Sequence, residues 1–105
     1  MSVKIDRISS QMAKEISYIL ATEVKDRDLR FVTITDCRVT NDLSYAKVYY
    51  TSLDDSNREE IKKAIKNASG FIRKQLMDRI DIRHIPELEF VYDESIEYGK
   101  KIENK

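Results

Sequence analysis

The sequence predicts an α+β domain in which a three-stranded sheet carries its helices on one face, in the order helix, strand, strand, helix, kink, helix, strand. Three observations predict it. Apolar residues recur at helical spacing over roughly residues 4 to 25 and again over 61 to 80. β-branched and aromatic residues crowd three short runs, 31–40, 45–51 and 87–92. Two glycines and one proline in 105 residues leave little room for linkers, so a single element-dense domain over 1–105 is expected.

In the first helix Ile5, Ile8, Met12, Ile16, Ile19, Leu20 and Val24 form one stripe, and the charged stretch Lys25-Asp26-Arg27-Asp28 ends it. The first strand follows from Phe31 to Thr40. Val32 and Ile34 share a face there, but Cys37 and Val39 have the opposite parity, which predicts a bulge or twist near Asp36. Asn41-Asp42 supplies turn chemistry, so Tyr45–Thr51 pairs back as an antiparallel hairpin. Ala46, Val48 and Tyr50 are expected to face the core, and Tyr45, Lys47, Tyr49 and Thr51 to face away from it.

Ser56-Asn57-Arg58-Glu59 has the form of a capping box just before Ile61, Ala64, Ile65 and Ala68, which starts a second helix. Ala68-Ser69-Gly70 is expected to interrupt it. Glycine costs about 1 kcal/mol in a helix interior and serine is a good N-cap, yet Phe71, Ile72, Leu76 and Ile80 resume the spacing at once. Two helices meeting at a kink fit that pattern. Pro86 then opens Glu87–Tyr92, where Leu88, Phe90 and Tyr92 alternate as a third strand. Ile96, Gly99 and Ile102 mark a last helix from about residue 95, expected to be cut short at Lys105.

Charged residues make up 36% of the chain, above the usual value of about 25%, and no long apolar run survives among them, so no membrane span is expected. Residues 1–6 lack a secretory h-region, and one cysteine can form neither an internal disulfide nor a multi-cysteine zinc site; a cytoplasmic location follows as the expectation. Catalysis is not expected either. His84 stands alone without a ligand partner at metal spacing, and Cys37 in a strand reads as a small buried hydrophobe. Asp54-Asp55 and Glu59-Glu60 sit at a loop and a helix start, where helix-end electrostatics account for them. No phosphate-loop, dinucleotide, zinc or acyl-transfer motif is present, and no metal or cofactor is expected.

Nineteen basic residues balance nineteen acidic ones, but the zero is unevenly built. Residues 1–55 carry net −1, residues 56–83 net +4 and residues 84–105 net −3. Between Ile61 and Met77 stand Lys62, Lys63, Lys66, Arg73 and Lys74 without a single acid. Such a run is either a solvated helix face or a site for a polyanion, since screening over about 8 Å makes phosphate respond to local charge. The expected break supplies the second ingredient, a new helix N-terminus at Ser69-Gly70 with free N–H groups for a phosphate. If the run is a polyanion site, the expected phosphate contacts are Lys62, Lys63, Lys66, Ala68, Ser69, Gly70, Arg73 and Lys74, with Arg79 and Arg83 extending the track. Tyr45, Lys47 and Tyr49 on the open sheet face suit base stacking or, preferably, cross-strand packing and partner contacts.

Three ordered segments carry a family resemblance: Asp42-Leu43-Ser44-Tyr45-Ala46-Lys47-Val48-Tyr49, Ala68-Ser69-Gly70-Phe71-Ile72-Arg73, and Arg83-His84-Ile85-Pro86-Glu87-Leu88-Glu89-Phe90-Val91-Tyr92-Asp93. With Ser95-Ile96 and the pattern of the first helix, the chain resembles the bacterial ribosome-binding factor A family over essentially its whole length. The resemblance implies a KH-like type II domain with an Ala-x-Gly interhelical kink in place of the Gly-x-x-Gly clamp. It further implies a non-enzymatic, cofactor-free and monomeric assembly factor. Such a factor binds free or immature 30S subunits, assists late 16S rRNA maturation including the 5′ region, supports growth in the cold and leaves before translation. Family members generally extend the final helix and often add a charged tail, from which this chain departs at Lys105. A KH-like protein-interaction adaptor using the Tyr45, Lys47 and Tyr49 face is the alternative, and an RNA-processing hydrolase ranks last.

Overall fold

The apolar stripes of two long helices meet one face of the sheet, and that meeting sets the architecture. The computed structural model describes residues 3–52 and 57–94. Helix α1 spans Val3–Thr22, strand β1 Val32–Val39, strand β2 Tyr45–Ser52, helix α2 Arg58–Arg79 and strand β3 Glu87–Tyr92. The sheet order is β1-β2-β3, with β1 and β2 antiparallel and β2 and β3 parallel. A parallel neighbour needs a crossover, and α2 supplies it. The α+β fold is as the sequence predicts, and β3 has the expected bounds.

From α1 the core takes Ile8, Met12, Ile16, Ile19 and Leu20, and Val24 joins them from just beyond the helix end; of the expected stripe Ile5 alone is half-buried. Ala46, Val48 and Tyr50 of β2 are buried against it, also as expected. Tyr50 meets Tyr92 edge to face at 5.5 Å, a favourable arrangement for two ring quadrupoles. The register of β1 against β2 shifts between Ile34 and Asp36, so the change of parity in the sequence is a bulge. At that bulge Thr35 Oγ1 donates to Asp93 Oδ2 at 2.5 Å and ties β1 to the end of β3. Cys37 is buried, and burial first, then the charge of Asp36, pushes its thiol up to about 12, so it stays protonated at neutral pH.

The hairpin turn rests on Asp42. Its Oδ1 accepts from the Ser44 amide at 3.0 Å, the Ser44 hydroxyl at 2.7 Å and the Thr40 hydroxyl at 2.8 Å. That network holds Leu43 at φ 62°, a left-handed conformation that leucine adopts at a cost, offset in part because its side chain packs on the core.

Between α1 and β1 the structure adds an element the sequence did not signal clearly, a short 3-10 helix at Arg27–Phe31. Asp26 caps it by accepting from the Asp28 amide at 3.0 Å, and Leu29 plugs the core beneath it. Phe31, expected to begin β1, is the last residue of this turn and is exposed.

The expected interruption at Ala68-Ser69-Gly70 is not there: α2 is one helix of 22 residues. Gly70 has no positive φ, and the Ser69 hydroxyl donates back to the Lys66 carbonyl at 2.8 Å instead of capping a new helix. The physical reason is the stripe. Ile61, Ile65, Ile72 and Leu76 are all buried along the length of α2, and that burial outweighs a glycine penalty of about 1 kcal/mol. Phe71, expected in the stripe, falls outside it and is 41% exposed. Asn57 stands at the N-cap and makes no side-chain capping bond; Ser56, the expected cap, lies outside the described residues, as does the expected helix from about residue 95.

A Cβ built on Gly70 meets nothing within 4 Å. Gly70→Ala is therefore expected to raise stability by about 1 kcal/mol in urea melts. A loss of stability there would mean that the glycine is needed for a break in the helix.

Candidate nucleic-acid interface

Two parallel rows of polar residues run along the solvent side of α2. Lys62, Lys66, Ser69 and Arg73 follow one another at spacings of four, three and four, and Lys63, Asn67, Gly70 and Lys74 repeat those spacings one residue on. Lys62, Lys63, Lys66, Lys74 and Gly70 are exposed, and Ser69 is half-buried. From Lys62 to Lys74 the ridge measures about 18 Å at 1.5 Å per residue. Gly70 lies in its middle without a side chain, which lets another backbone come close to the helix.

Because α2 has no break, Ser69 and Gly70 offer no free N–H groups from a second helix start, contrary to the expectation. What remains at this point is a bare stretch between cations. Ala68 turns inward and packs against the core, where a small residue admits Val24 and Leu29 nearby.

Two of the expected cations are committed inside the protein. Arg73 donates from Nη2 to the Ile85 carbonyl at 2.8 Å and from Nε to the Pro86 carbonyl at 3.2 Å. It thereby fixes the connection that leads from α2 into β3. Arg79 lies 3.5 Å from Glu15 and 3.5 Å from Glu23, with its guanidinium 5.0 Å from the centroid of the Tyr18 ring. Its side chain is 27% exposed and its buried Nε has no hydrogen-bond partner. Two carboxylates around one guanidinium leave no positive surplus for a phosphate. Arg79 joins α1 to α2, and the basic track does not extend through it. Arg83 is exposed in the connection beyond α2.

Arg73→Ala is expected to cost roughly 2 kcal/mol, because two carbonyls lose a charged donor. Urea denaturation checks this, and a change under about 0.5 kcal/mol would return Arg73 to the exposed cations.

Beside the ridge, between α2 and β3, lies a groove of about 350 Å³. Lys62, Lys66 and Ser69 line its helix side, and Glu87, Leu88, Glu89 and Phe90 line its strand side; Tyr45 and Tyr50 complete it. Glu87, Leu88, Glu89 and Phe90 were not singled out from the sequence as site residues. The strand alternation is visible there, but the position of β3 alongside α2 depends on the parallel pairing with β2.

Tyr45, Lys47 and Tyr49 share the sheet face turned away from the helices, as the register requires. The Tyr45 hydroxyl donates to Glu89, Lys47 stands between Arg38 and Glu89 in the register, and the Arg38 guanidinium lies 5.8 Å from the Tyr49 ring while pairing with Asp36 at 3.1 Å. This face supplies its own cross-strand partners. Tyr45 alone of the three also lines the groove.

His84 is exposed. Among the described residues no three His, Cys, Asp or Glu side chains converge as a metal ligand set, and no helix is long and apolar enough to cross a membrane.

Comparison with known proteins bears on this arrangement. A factor from Staphylococcus epidermidis is 50% identical over 103 residues, 97% of this chain and 89% of its own length, and one from Staphylococcus carnosus is 48% identical over 102 residues, covering 96% and 89%. Both are named ribosome-binding factor A. Among solved structures, the crystal structure of ribosome-binding factor A from Thermus thermophilus superposes with a TM-score of 0.76 over 84% of this chain and 93% of that one, at 22% identity. A homology model of the Thermus thermophilus factor, fitted into a cryo-electron-microscopy map of a 30S-RbfA complex, gives 0.63 over 90% and 97% at 21% identity. The family model described as ribosome-binding factor A matches residues 4–105, and the chain belongs to that family.

Proposed function

We propose that this chain is a non-catalytic, monomeric RNA-binding module of the cytoplasm that acts on the small ribosomal subunit during its assembly. It binds free or immature 30S particles, holds one conformation of 16S rRNA during late maturation, including that of the 5′ region, supports growth in the cold and dissociates before translation. One observation carries the reading: four exposed lysines, with a bare glycine among them, form a single ridge along a groove on a chain whose total charge is zero. The relatives named as ribosome-binding factors, and the Thermus thermophilus factor fitted in a 30S complex, support the choice of particle. Phosphate contacts of this kind give affinity and orientation; selectivity for the particle comes from rRNA shape.

Salt dependence tests it. Four phosphate contacts to unpaired RNA give a slope of about −2.8 in log K against log salt, so affinity for isolated small subunits falls about 50-fold between 50 and 200 mM KCl. An affinity that stays flat across that range sinks the reading. It would favour the adaptor instead, for which the exposed Phe71 beside a groove lined by Val24, Leu29, Ala64 and Ala68 is the structural support.

A further inference from the structure

The flank of α2 beside residues 23–29 carries an open ring. Phe71 is the one aromatic residue of α2, and it is 41% exposed. A single exposed apolar side chain means little by itself, but this one lines a cavity of about 330 Å³ whose further apolar walls are Val24, Leu29, Ala64 and Ala68. The two carboxylates at its rim are engaged: Glu23 lies 3.5 Å from Arg79, and Asp26 accepts from the Asp28 amide. Lys25, exposed on the same rim, adds a cation.

The cavity adjoins the lysine ridge. Asn67 lines it and also stands in the row Lys63, Asn67, Gly70, Lys74. Phe71 is four residues from Asn67 and three from Lys74, so the three are neighbours on the helix surface. An RNA strand that rests its phosphates on Lys63 and Lys74 therefore passes beside the ring. A nucleobase is flat and stacks on a phenyl face, and the Asn67 amide, with both donor and acceptor, can pair with a base edge. At about 330 Å³ the cavity is at the low end of the roughly 300–1,000 Å³ of small-ligand sites, room for one base and not for a duplex. A protein partner, the occupant under the adaptor reading, fits less well. Nine of the described residues wall the cavity, against about 20–30 a side in a stable protein interface.

We propose that Phe71 is a base-stacking residue, which takes one unpaired nucleobase of RNA into the cavity between α2 and residues 23–29 while Lys63 and Lys74 hold the adjoining phosphates. The inference rests on the RNA-binding reading above and adds to it a contact with a base. Every base has a π-face, so this contact favours unpaired RNA without selecting a sequence.

Fluorescence anisotropy of the full chain at 50 mM KCl tests it with two labelled RNAs, an eight-nucleotide oligo(U) and an abasic oligomer of the same ribose-phosphate backbone. The unaltered chain is expected to bind oligo(U) roughly 10-fold more tightly, within the range of one base stacked on an aromatic ring. Phe71→Leu keeps apolar bulk and loses the ring; it is expected to weaken oligo(U) binding by about that factor and abasic binding by less than about 2-fold. Phe71→Tyr keeps the ring and retains the preference. The slope of log K against log salt is the same in all three chains, because no phosphate contact is lost. Equal affinity of the unaltered chain for the two oligomers, a preference that survives Phe71→Leu, or a shallower salt slope in that variant overturns the inference and leaves lysine-dependent binding standing. Binding to neither oligomer, at a thermal midpoint showing a folded chain, overturns the inference and the RNA-binding reading together and leaves the cavity to a protein partner.

Discussion

Lys62→Glu, Lys63→Glu, Lys66→Glu and Lys74→Glu combined in one chain are expected to abolish co-sedimentation with small ribosomal subunits while leaving the fold intact. The size follows from counterion release. At 0.15 M salt the term for four phosphate contacts is worth roughly 200-fold in affinity, and replacing cations by anions adds repulsion to that loss. All four side chains are exposed, so the thermal midpoint is expected to move by only a few degrees. Lys47→Glu on the opposite sheet face serves as the control and leaves co-sedimentation unchanged. Binding that persists in the fourfold variant would remove the ridge from the interface, whatever the chain binds.

The second large effect lies in the core of the same helix. Leu76→Ala is expected to destabilise the protein by about 3 kcal/mol, since Leu76 is 0% exposed and its removal leaves a cavity that the surrounding packing closes only partly. For a domain of this size that lowers the thermal midpoint by roughly 15 °C, a large part of a total stability of about 5–15 kcal/mol. Met77→Ala, one residue on and 66% exposed, is expected to change stability by less than about 0.5 kcal/mol. Similar losses at both positions would contradict the single buried stripe that carries α2 across Gly70.

That stripe also explains how far the candidate site was legible in advance. Lys62, Lys63, Lys66 and Lys74 are marked as exposed by their spacing against Ile61, Ile65, Ile72 and Leu76, and the structure places all four in solvent. Arg73 and Arg79 have equally suitable spacing and charge, yet both are engaged. Their partners, the carbonyls of Ile85 and Pro86 and the carboxylates of Glu15 and Glu23, belong to segments that no periodicity relates to α2. A long, charged side chain reaches whatever the fold brings within its length, and local pattern does not contain that information.

What the sequence alone determined was everything with a period of its own: the stripe of α1, the alternation of β2 and β3, the change of parity that became a bulge, and the concentration of positive charge over residues 61–77. Each depends on neighbours one to four positions away, where backbone geometry fixes which side chains share a face. Tertiary structure alone decided the rest. It made α2 continuous because apolar burial outweighed the local preference of Ser69-Gly70, and folded Arg27–Phe31 into a short helix over Leu29. It also set β3 parallel to β2, and that pairing turned Leu88 and Phe90 toward the core while Glu87 and Glu89 joined Tyr45 and Lys47 on the outer face of the sheet. Those outcomes are sums over contacts between distant segments, so they exist only once the chain has folded.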